Sequence, residues 1–498
     1  MRHFPPHLRT APQAWALLLC GLVGACGGEA ERPLRPRGVL LISIDSLRAD
    51  HLGCYGYESA TAPELRTSPR IDALAEEGSL FERAVSTTSW TLPAHMAMLT
   101  GQPNELHGVR DFHQRLHPSH PLLAEVFQQA GWRTAGFWSG PNVSPEFGFG
   151  RGFERYVDCS GLEALDPALL EATQADEPDE AAVQALQDWH AASHRTTTGP
   201  LVVGAFEEFL GSVEADQPFF AFAHLWDVHY DWMPPAEFDV FDPDYEGPVV
   251  SGEYDRLGEM LGRPPAERDL DHLRALYDGE LLFTDGQVGR MLDLLSAAGR
   301  LDDTLVVLTS DHGEAFYEHK RIGHKFTLYE EEVRIPLVLR WPARVPAGRR
   351  SDALVSVIDL VPTVLELCDL APPAGLWGRS LVGALEGELS ARPAPMELTS
   401  LRARLELRGL HADQHKVVWR GANEPPKVYD LQRDPGEQTP LGPRALSAGD
   451  PRVPQARQVW RTLDEAAAEL ERLEGELSPE LAQRLEAAGY LGGADDED

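Results

Sequence analysis

Cysteine is scarce in this chain, and none of it is paired by spacing. The 498 residues hold five, Cys20, Cys26, Cys54, Cys159 and Cys368. No two stand in a C-x-x-C pattern, which excludes a zinc ribbon and a thioredoxin-like redox site. Cys20 and Cys26 fall in an N-terminal leader. The three that remain are an odd number and cannot complete a disulfide framework. Positive charge is also short: 44 Lys and Arg face 79 Asp and Glu, a formal net charge of −35. Nucleic acid and anionic lipid would both repel such a chain, so nonspecific binding to either is excluded. An anionic substrate then needs a local positive device, such as a metal ion. Beyond the leader no apolar run reaches about 18 residues, which excludes a membrane-spanning helix. No repeat period is visible. What is present is ordinary: 43% hydrophobic residues, enough for a sizeable core. The length allows one large α/β domain and a smaller one.

Residues 1–10 carry Arg2 and Arg9 and no acid, and Trp15 to Ala25 is an apolar run of eleven residues. That is too short to span a bilayer and suits the apolar stretch of a signal peptide. It ends in Val23-Gly24-Ala25-Cys26, which resembles a bacterial lipobox. The resemblance implies lipidation of Cys26 and a place in the bacterial cell envelope, anchored on the periplasmic or outer-membrane side. An ordinary secretory signal cut near Ala25 is the alternative. The expected organisation is a leader over 1–26, a tether over 27–37, a catalytic domain over 38–380 with an acidic insertion at 160–200, a small C-terminal sheet over 381–445, and an acidic helical tail over 446–498.

Val39 to Ile44 is a buried-strand pattern that runs straight into Asp45. Ser68-Pro69 opens a helix that Gly78 closes. Pro93 to Thr100 and His120 to Ala130 are further helices, and Arg133 to Ser139 and Phe219 to Trp226 further strands. Glu267 to Ala298 is long and helical, with a break expected near Gly279 or Gly286. Thr304 to Ser310 is a strand ending at Asp311, Ile335 to Trp341 another, and Val357 to Leu370 a helix bent at Pro362. Such alternation predicts an α/β fold: a mostly parallel central sheet flanked by helices. Chemistry in such sheets sits at the carboxyl ends of strands, where Asp45 and Asp311 both fall. Farther on, Arg404 to Leu410, His415 to Trp419 and Lys427 to Leu431 read as a small antiparallel sheet, and Gln455 to Ala488 as one or two amphipathic helices.

Four separated segments place polar groups just after apolar runs. They are Asp45-Ser46-Leu47-Arg48-Ala49-Asp50, Ser89-Trp90-Thr91-Leu92-Pro93-Ala94-His95, Asp227-Val228-His229-Tyr230, and Ser310-Asp311-His312-Gly313-Glu314 with Gly323-His324-Lys325 behind it. Two carboxylates and an imidazole at strand ends, with a hydroxyl at a helix start, suit one divalent cation. The blander readings are caps for Asp45 and Thr91 and a turn for Asp311-His312. Four segments in register outweigh them.

Together these segments resemble the sulfatase family, within the wider alkaline-phosphatase superfamily. The likeness runs from about Val39 to Leu370. It continues weakly through Tyr429-Asp430-Leu431 and Asp434-Pro435-Gly436-Glu437 to Leu441. The resemblance implies an ester hydrolase with Asp45, Thr91, Asp311 and His312 around one metal ion, Ca2+ or Mn2+ first and Zn2+ next. It makes His229 the donor to the leaving oxygen and Lys325 a contact to a nonbridging oxygen. His95 and His324 are expected against the substrate. His319 is a weaker candidate.

Thr91 departs from the family. Sulfatases carry Cys or Ser there, within Cys/Ser-x-Pro-x-Arg, and oxidise it to formylglycine. Threonine cannot give that aldehyde, and His95 stands in place of the Arg. Ser46 replaces a frequent Asp ligand, and Phe137 to Pro141 lacks a Lys and a His that bind the anion. The expectation is therefore a metal-dependent hydrolase of sulfate, phosphate or phosphonate esters with Thr91 as nucleophile and no formylglycine. Its substrate is an anionic ester on a glycan, lipid or small molecule. A transferase of phosphoryl-linked head groups and a non-catalytic binding module are the alternatives. A two-zinc site would need Asp227, His229 and His324 as further ligands, and ranks below the one-metal site because Asp227 and His229 stand too close in sequence for it.

Overall fold

The computed structural model describes residues 35–161, 181–182, 184–185, 197–252, 257–258, 260–262, 264–388, 392–400, 405–421, 424–442, 450–488 and 490–491. The leader at 1–26, most of the tether at 27–37 and most of the insertion at 160–200 lie outside the described residues. No helix among the described residues is long and apolar enough to cross a membrane.

The strand Gly38–Ile44 (GVLLISI) is buried at every position. A strand with no wet face belongs in the middle of a sheet covered on both sides, and it pairs in parallel with Phe219–Leu225 on one edge and Thr304–Ser310 on the other. Arg133–Trp138 and Arg155–Asp158 extend the sheet beyond Phe219–Leu225, again in parallel. Leu337–Arg340 runs antiparallel beside Thr304–Ser310, and Ser79–Val85 lies next to it. Alternate side chains of the central strand enter opposite cores. Val39 and Leu41 pack with the helix Thr91–Thr100, and Leu40, Ile42 and Ile44 with residues of the helices Gly199–Ser212 and Glu267–Ala297.

Three local expectations are corrected. Glu267–Ala297 is one unbroken helix of 31 residues. Gly279 is a point of close approach and not a break: a Cβ there would come within 2.7 Å of the Phe238 carbonyl oxygen. The strand expected over Ile335 to Trp341 is split into Arg334–Ile335 and Leu337–Arg340 around Pro336, which has no N–H for the ladder. Pro362 does not bend its helix. It lies in the first turn of Leu360–Leu367, where its missing donor is not needed.

The smaller sheet is antiparallel throughout: Ala394–Ser400, Leu405–Ala412, His415–Arg420 and Lys427–Asp430 in that order. Its buried Lys416 reaches out to Glu330 and Glu437, 2.9 Å from each. The tail forms two helices, Arg452–Ala467 and Pro479–Ala487. Between them Leu473–Glu474 pairs with Gln114–Arg115.

Candidate active site

Two neighbouring strand ends create the site. Ile44 and Ser310 are register partners, so the residues after them, Asp45 and Asp311, leave the sheet side by side. Ser46 has a left-handed φ of 55°, uncommon for a residue with a Cβ. That turn aims its backbone N–H at Asp311 Oδ1, 3.2 Å away. Leu47 N–H donates to Ser310 Oγ at 3.0 Å, tying the two loops together. His312 N–H also donates to Asp311 Oδ1, at 2.8 Å. Gly313 follows where no side chain fits, since a Cβ would lie 2.2 Å from the Glu331 carbonyl oxygen.

Asp45, Asp311 and His312 are fully buried, and each offers a ligand atom within 4.8 Å of the others. Among the described residues Asp311 Oδ2 has no hydrogen-bond partner. Burial pushes Asp45 up to about 6, against the opposing pull of His312 and of hydroxyls from Ser46 and Thr91. Burying an ionised carboxylate costs several kcal/mol unless a positive charge compensates it. Two such groups beside an imidazole lone pair therefore fit a divalent cation. His312 Nδ1 lies 2.8 Å from the Gly313 carbonyl oxygen; donation there fixes the tautomer that leaves the lone pair on Nε2.

Thr91 begins the helix Thr91–Thr100, whose N-cap is Trp90. Its hydroxyl is not used as a cap. Oγ1 stands 3.1 Å from His312 Nε2 and 3.3 Å from the phenol of Tyr490. The hydroxyl, the cation-binding cluster and the N-terminus of a ten-residue helix thus meet at one point.

The same phenol also contacts His229 and His324, and the His324 ring lies 4.3 Å from that of His312. His229 Nε2 is 2.8 Å from the Tyr490 hydroxyl and His324 Nε2 is 3.3 Å from it. His229 Nδ1 faces the Tyr230 carbonyl oxygen at 2.6 Å, and His324 Nδ1 faces both oxygens of Glu314 at 3.2 Å. Burial holds both imidazoles well below their ordinary range, so they rest neutral. The Lys325 ammonium sits over aromatic faces, 4.2 Å from the Trp90 centroid, 5.0 Å from Phe112 and 5.3 Å from Tyr490.

His95 is placed differently from expectation. Nδ1 bonds the Thr91 carbonyl oxygen at 3.0 Å and Nε2 the Ser43 hydroxyl at 2.9 Å. Both ring nitrogens are engaged with the protein, and burial lowers the imidazole to about 3. It stands 3.5 Å from Asp311 Oδ2, as a neutral support of the cluster. Asp227 also serves the framework, because its carboxylate accepts from the N–H and hydroxyl of Thr198, beside the start of Gly199–Ser212. The cluster that could hold a cation among the described residues, Asp45, Asp311 and His312, does not include it. His319 pairs with Glu331 at 2.6 Å and stacks on Tyr329.

Two groups at the site lie outside the motifs legible in the sequence. His224, fully buried, brings Nε2 to 3.2 Å from Asp45 Oδ2. A lone polar residue inside the apolar run Phe219–Leu225 was the available signal. Tyr490 comes from the far end of the tail, and nothing in its local sequence points to the site.

A sulfatase family profile matches residues 37–370, and a second, for the C-terminal part of N-sulphoglucosamine sulphohydrolase, matches residues 317–442. An N-acetylglucosamine-6-O-sulfatase of Bacteroides thetaiotaomicron is 23% identical over 454 residues, covering 76% of each chain. Human arylsulfatase A is 27% identical, over 88% of this chain and 89% of its own. Among solved structures, one bound to its substrate D-glucosamine-2-N,6-O-disulfate superposes with a TM-score of 0.67 at 19% identity, covering 88% of this chain and 99% of that one. The phosphonate monoester hydrolase of Agrobacterium radiobacter does so with 0.65 at 22%, covering 89% and 100%. With its sheet, its strand-end carboxylates and a family match over most of its length, the chain belongs to the sulfatase family of sulfuric ester hydrolases.

Proposed function

We propose that this chain is a metal-dependent hydrolase of sulfate, phosphate or phosphonate esters in which Thr91 is the nucleophile and no formylglycine is formed. The observation that carries the reading is the Thr91 hydroxyl, 3.1 Å from His312 Nε2 in the buried cluster with Asp45 and Asp311. Asp45, Asp311 and His312, with Thr91 Oγ1, would hold a divalent cation, Ca2+ or Mn2+ ahead of Zn2+, which would supply the positive charge that acidifies the hydroxyl and offsets the anionic ester.

The chain's own residues do the rest. Thr91 Oγ1, its proton released to solvent, forms a bond to sulfur or phosphorus as the bond to the leaving oxygen breaks, in line and on the opposite side; water then attacks the same atom, giving a proton to the now neutral His229 as the bond to Thr91 Oγ1 breaks, and Thr91 Oγ1 regains its proton from solvent. The amides available at the helix start are those of Thr91 and Leu92, since Pro93 has no N–H and Ala94 N–H is bonded to the Trp90 carbonyl oxygen; with the helix dipole they favour the growing negative charge. Lys325 neutralises a nonbridging oxygen. His229 Nε2 gives the leaving oxygen its proton: neutral at rest, the imidazole gains one as the entering anion raises its affinity.

The name and bound ligand of the relatives support a sulfated glycan as substrate. The phosphonate monoester hydrolase neighbour supports phosphorus, as does the chemistry: a threonyl phosphate is opened by in-line displacement, whereas a threonyl sulfate lacks the release that an aldehyde hydrate provides. The lipobox-like Val23 to Cys26 supports an enzyme anchored by lipid in the bacterial cell envelope. The deciding experiment is turnover by the purified protein on aryl sulfate, glucosamine 6-sulfate, phosphomonoester, phosphodiester and phosphonate monoester, each with Ca2+, Mn2+ and Zn2+. No turnover of any ester with any of these metals would remove the hydrolase reading.

A further inference from the structure

Among the described residues, the reacting groups of the site are shielded from solvent, and Lys325 above them is only partly buried. Thr91, Asp45, Asp311 and His312 are fully buried, and His229 and His324 are 3% and 4% exposed. The outermost of the set is Tyr490, at 6%. Its hydroxyl lies between the nucleophile and the proton donor, 3.3 Å from Thr91 Oγ1 and 2.8 Å from His229 Nε2. A sulfuryl or phosphoryl group undergoing in-line transfer must stand between those same two atoms, so it and the phenol exclude one another. The ring packs edge-on to Phe112, 6.2 Å between centroids, beneath the Lys325 ammonium.

The helix Pro479–Ala487 and Tyr490 are held against the body of the protein. Leu481, Leu485 and Tyr490 belong to the core that contains Trp90 and Met96. Ser478 caps Pro479–Ala487 by accepting from Leu481 N–H. Arg484 pairs with Asp158 at the sheet edge, and the Tyr230 hydroxyl donates to the Ala488 carbonyl oxygen at 3.3 Å.

We propose that the tail is a built-in competitor of the substrate: Tyr490 fills the leaving-group position in the free enzyme, and substrate enters by displacing it. The inference rests on the hydrolase reading for its kinetic test but not for its binding test. An intramolecular competitor lowers the population of the binding-competent state and therefore raises apparent KM. In the full chain, Tyr490→Phe removes the hydrogen bonds and keeps the ring. Its kcat/KM rises roughly fivefold, the worth of about one net hydrogen bond, with the gain in KM. Arg484→Glu, which loosens the tail far from the chemistry, moves kcat/KM in the same direction. A fall in kcat/KM in Tyr490→Phe makes the phenol a working donor and overturns the proposal.

The second arm needs no turnover. Inorganic phosphate and sulfate are titrated by calorimetry into wild type and Tyr490→Ala, with amide exchange followed over residues 479–488. Tighter binding in the variant, and faster exchange of wild-type 479–488 on binding, support the competitor. Equal affinity in the two proteins, unchanged exchange on binding, or no binding even in Tyr490→Ala overturns it.

Discussion

His224 Nε2 lies 3.2 Å from Asp45 Oδ2, while its Nδ1 accepts the Ser139 N–H at 3.5 Å. The proton is therefore on Nε2 and points at the carboxylate. Burial lowers His224 to about 4, so it acts as a neutral donor. Groups of this kind fix a ligand's orientation without touching the ion. His224→Ala is expected to weaken cation affinity by about 10- to 100-fold, and His224→Gln, which keeps a donor, by less. Isothermal titration of metal-free protein measures both. Unaltered affinity in His224→Ala would leave the residue as packing only.

Asp311 is the more drastic case. Its Oδ2 has no hydrogen-bond partner among the described residues, though His312 Nε2 lies 3.4 Å from it, and Oδ1 anchors the backbone of Ser46 and His312. Asp311→Ala and Asp45→Ala each remove a charge from a small enclosed ligand set, and both are expected to lose stoichiometric metal. Elemental analysis after dialysis reads this directly. Wild-type metal content in both variants would move the cation elsewhere.

Lys416 offers a stability test away from the chemistry. It is fully buried and shared by Glu330 and Glu437. Burial alone would raise Glu330, but the Lys416 ammonium holds it well below its ordinary value. A carboxylate depressed in the folded state stabilises above its unfolded value, about 4.3, and that stabilisation disappears as pH falls through the folded value. Burial raises Glu437 to about 7, so that carboxylate is already protonated at about pH 5 and adds no loss below it; the Glu330 contribution to wild-type melting temperature should fall as pH drops below about 4.5. Lys416→Met leaves two buried carboxylates with no cation, at a cost of about 3–5 kcal/mol near neutrality. The acid-induced loss should shrink or reverse in the variant, because protonation there relieves the carboxylates. Parallel pH profiles for the two proteins would contradict this coupling.

The strands that build the site were legible because they are apolar runs ending in acids. Gly38–Ile44 and Thr304–Ser310 declare both their burial and the position of Asp45 and Asp311. His312 could be placed beside those acids because it directly follows Asp311, whereas Thr91 was placed there by its match to the sulfatase nucleophile position at the start of a helix. His95 could not. Its position in the motif suggested a substrate contact, whereas helix geometry turns its ring to the carbonyl oxygen four residues back and to Ser43. Ser79–Val85 and Arg349–Ser356 do not read as strands in the sequence because charged residues interrupt them. Tyr490 was out of reach for another reason. Its partners Thr91, His229 and His324 are 166 to 399 residues away, and only tertiary packing of the tail brings them together.

The N-terminal address has its own test, since Cys26 lies outside the described residues. Lipidation at Cys26 requires cleavage by the lipoprotein signal peptidase, so globomycin should leave a precursor about 2–3 kDa larger in cells, as removal of a leader of this length demands. Cys26→Ser should release the protein from the membrane fraction. Normal processing under globomycin would return the leader to an ordinary secretory signal.

Thr91 carries the strongest prediction. Its hydroxyl makes no helix-capping bond, so Thr91→Ala costs the fold only the loss of weak polar contacts, about 0.5–1.5 kcal/mol. Turnover in that variant should nevertheless vanish, because no other hydroxyl in the nucleophile segment makes this contact with His312. Thr91→Ser keeps the oxygen and should retain part of the activity. Thr91→Cys beside a formylglycine-generating enzyme should not yield an efficient sulfatase: His95 is locked onto Ser43 and the Thr91 carbonyl oxygen, so it cannot take over the role of the motif's arginine. Mass spectrometry of the wild-type peptide should find threonine unmodified at rest. After a rapid quench with a phosphorus substrate, it should find the same peptide carrying a phosphoryl group. If Thr91→Ala turns over as fast as wild type, the hydroxyl is not the nucleophile, and water activated within the Asp45, Asp311 and His312 cluster must attack instead.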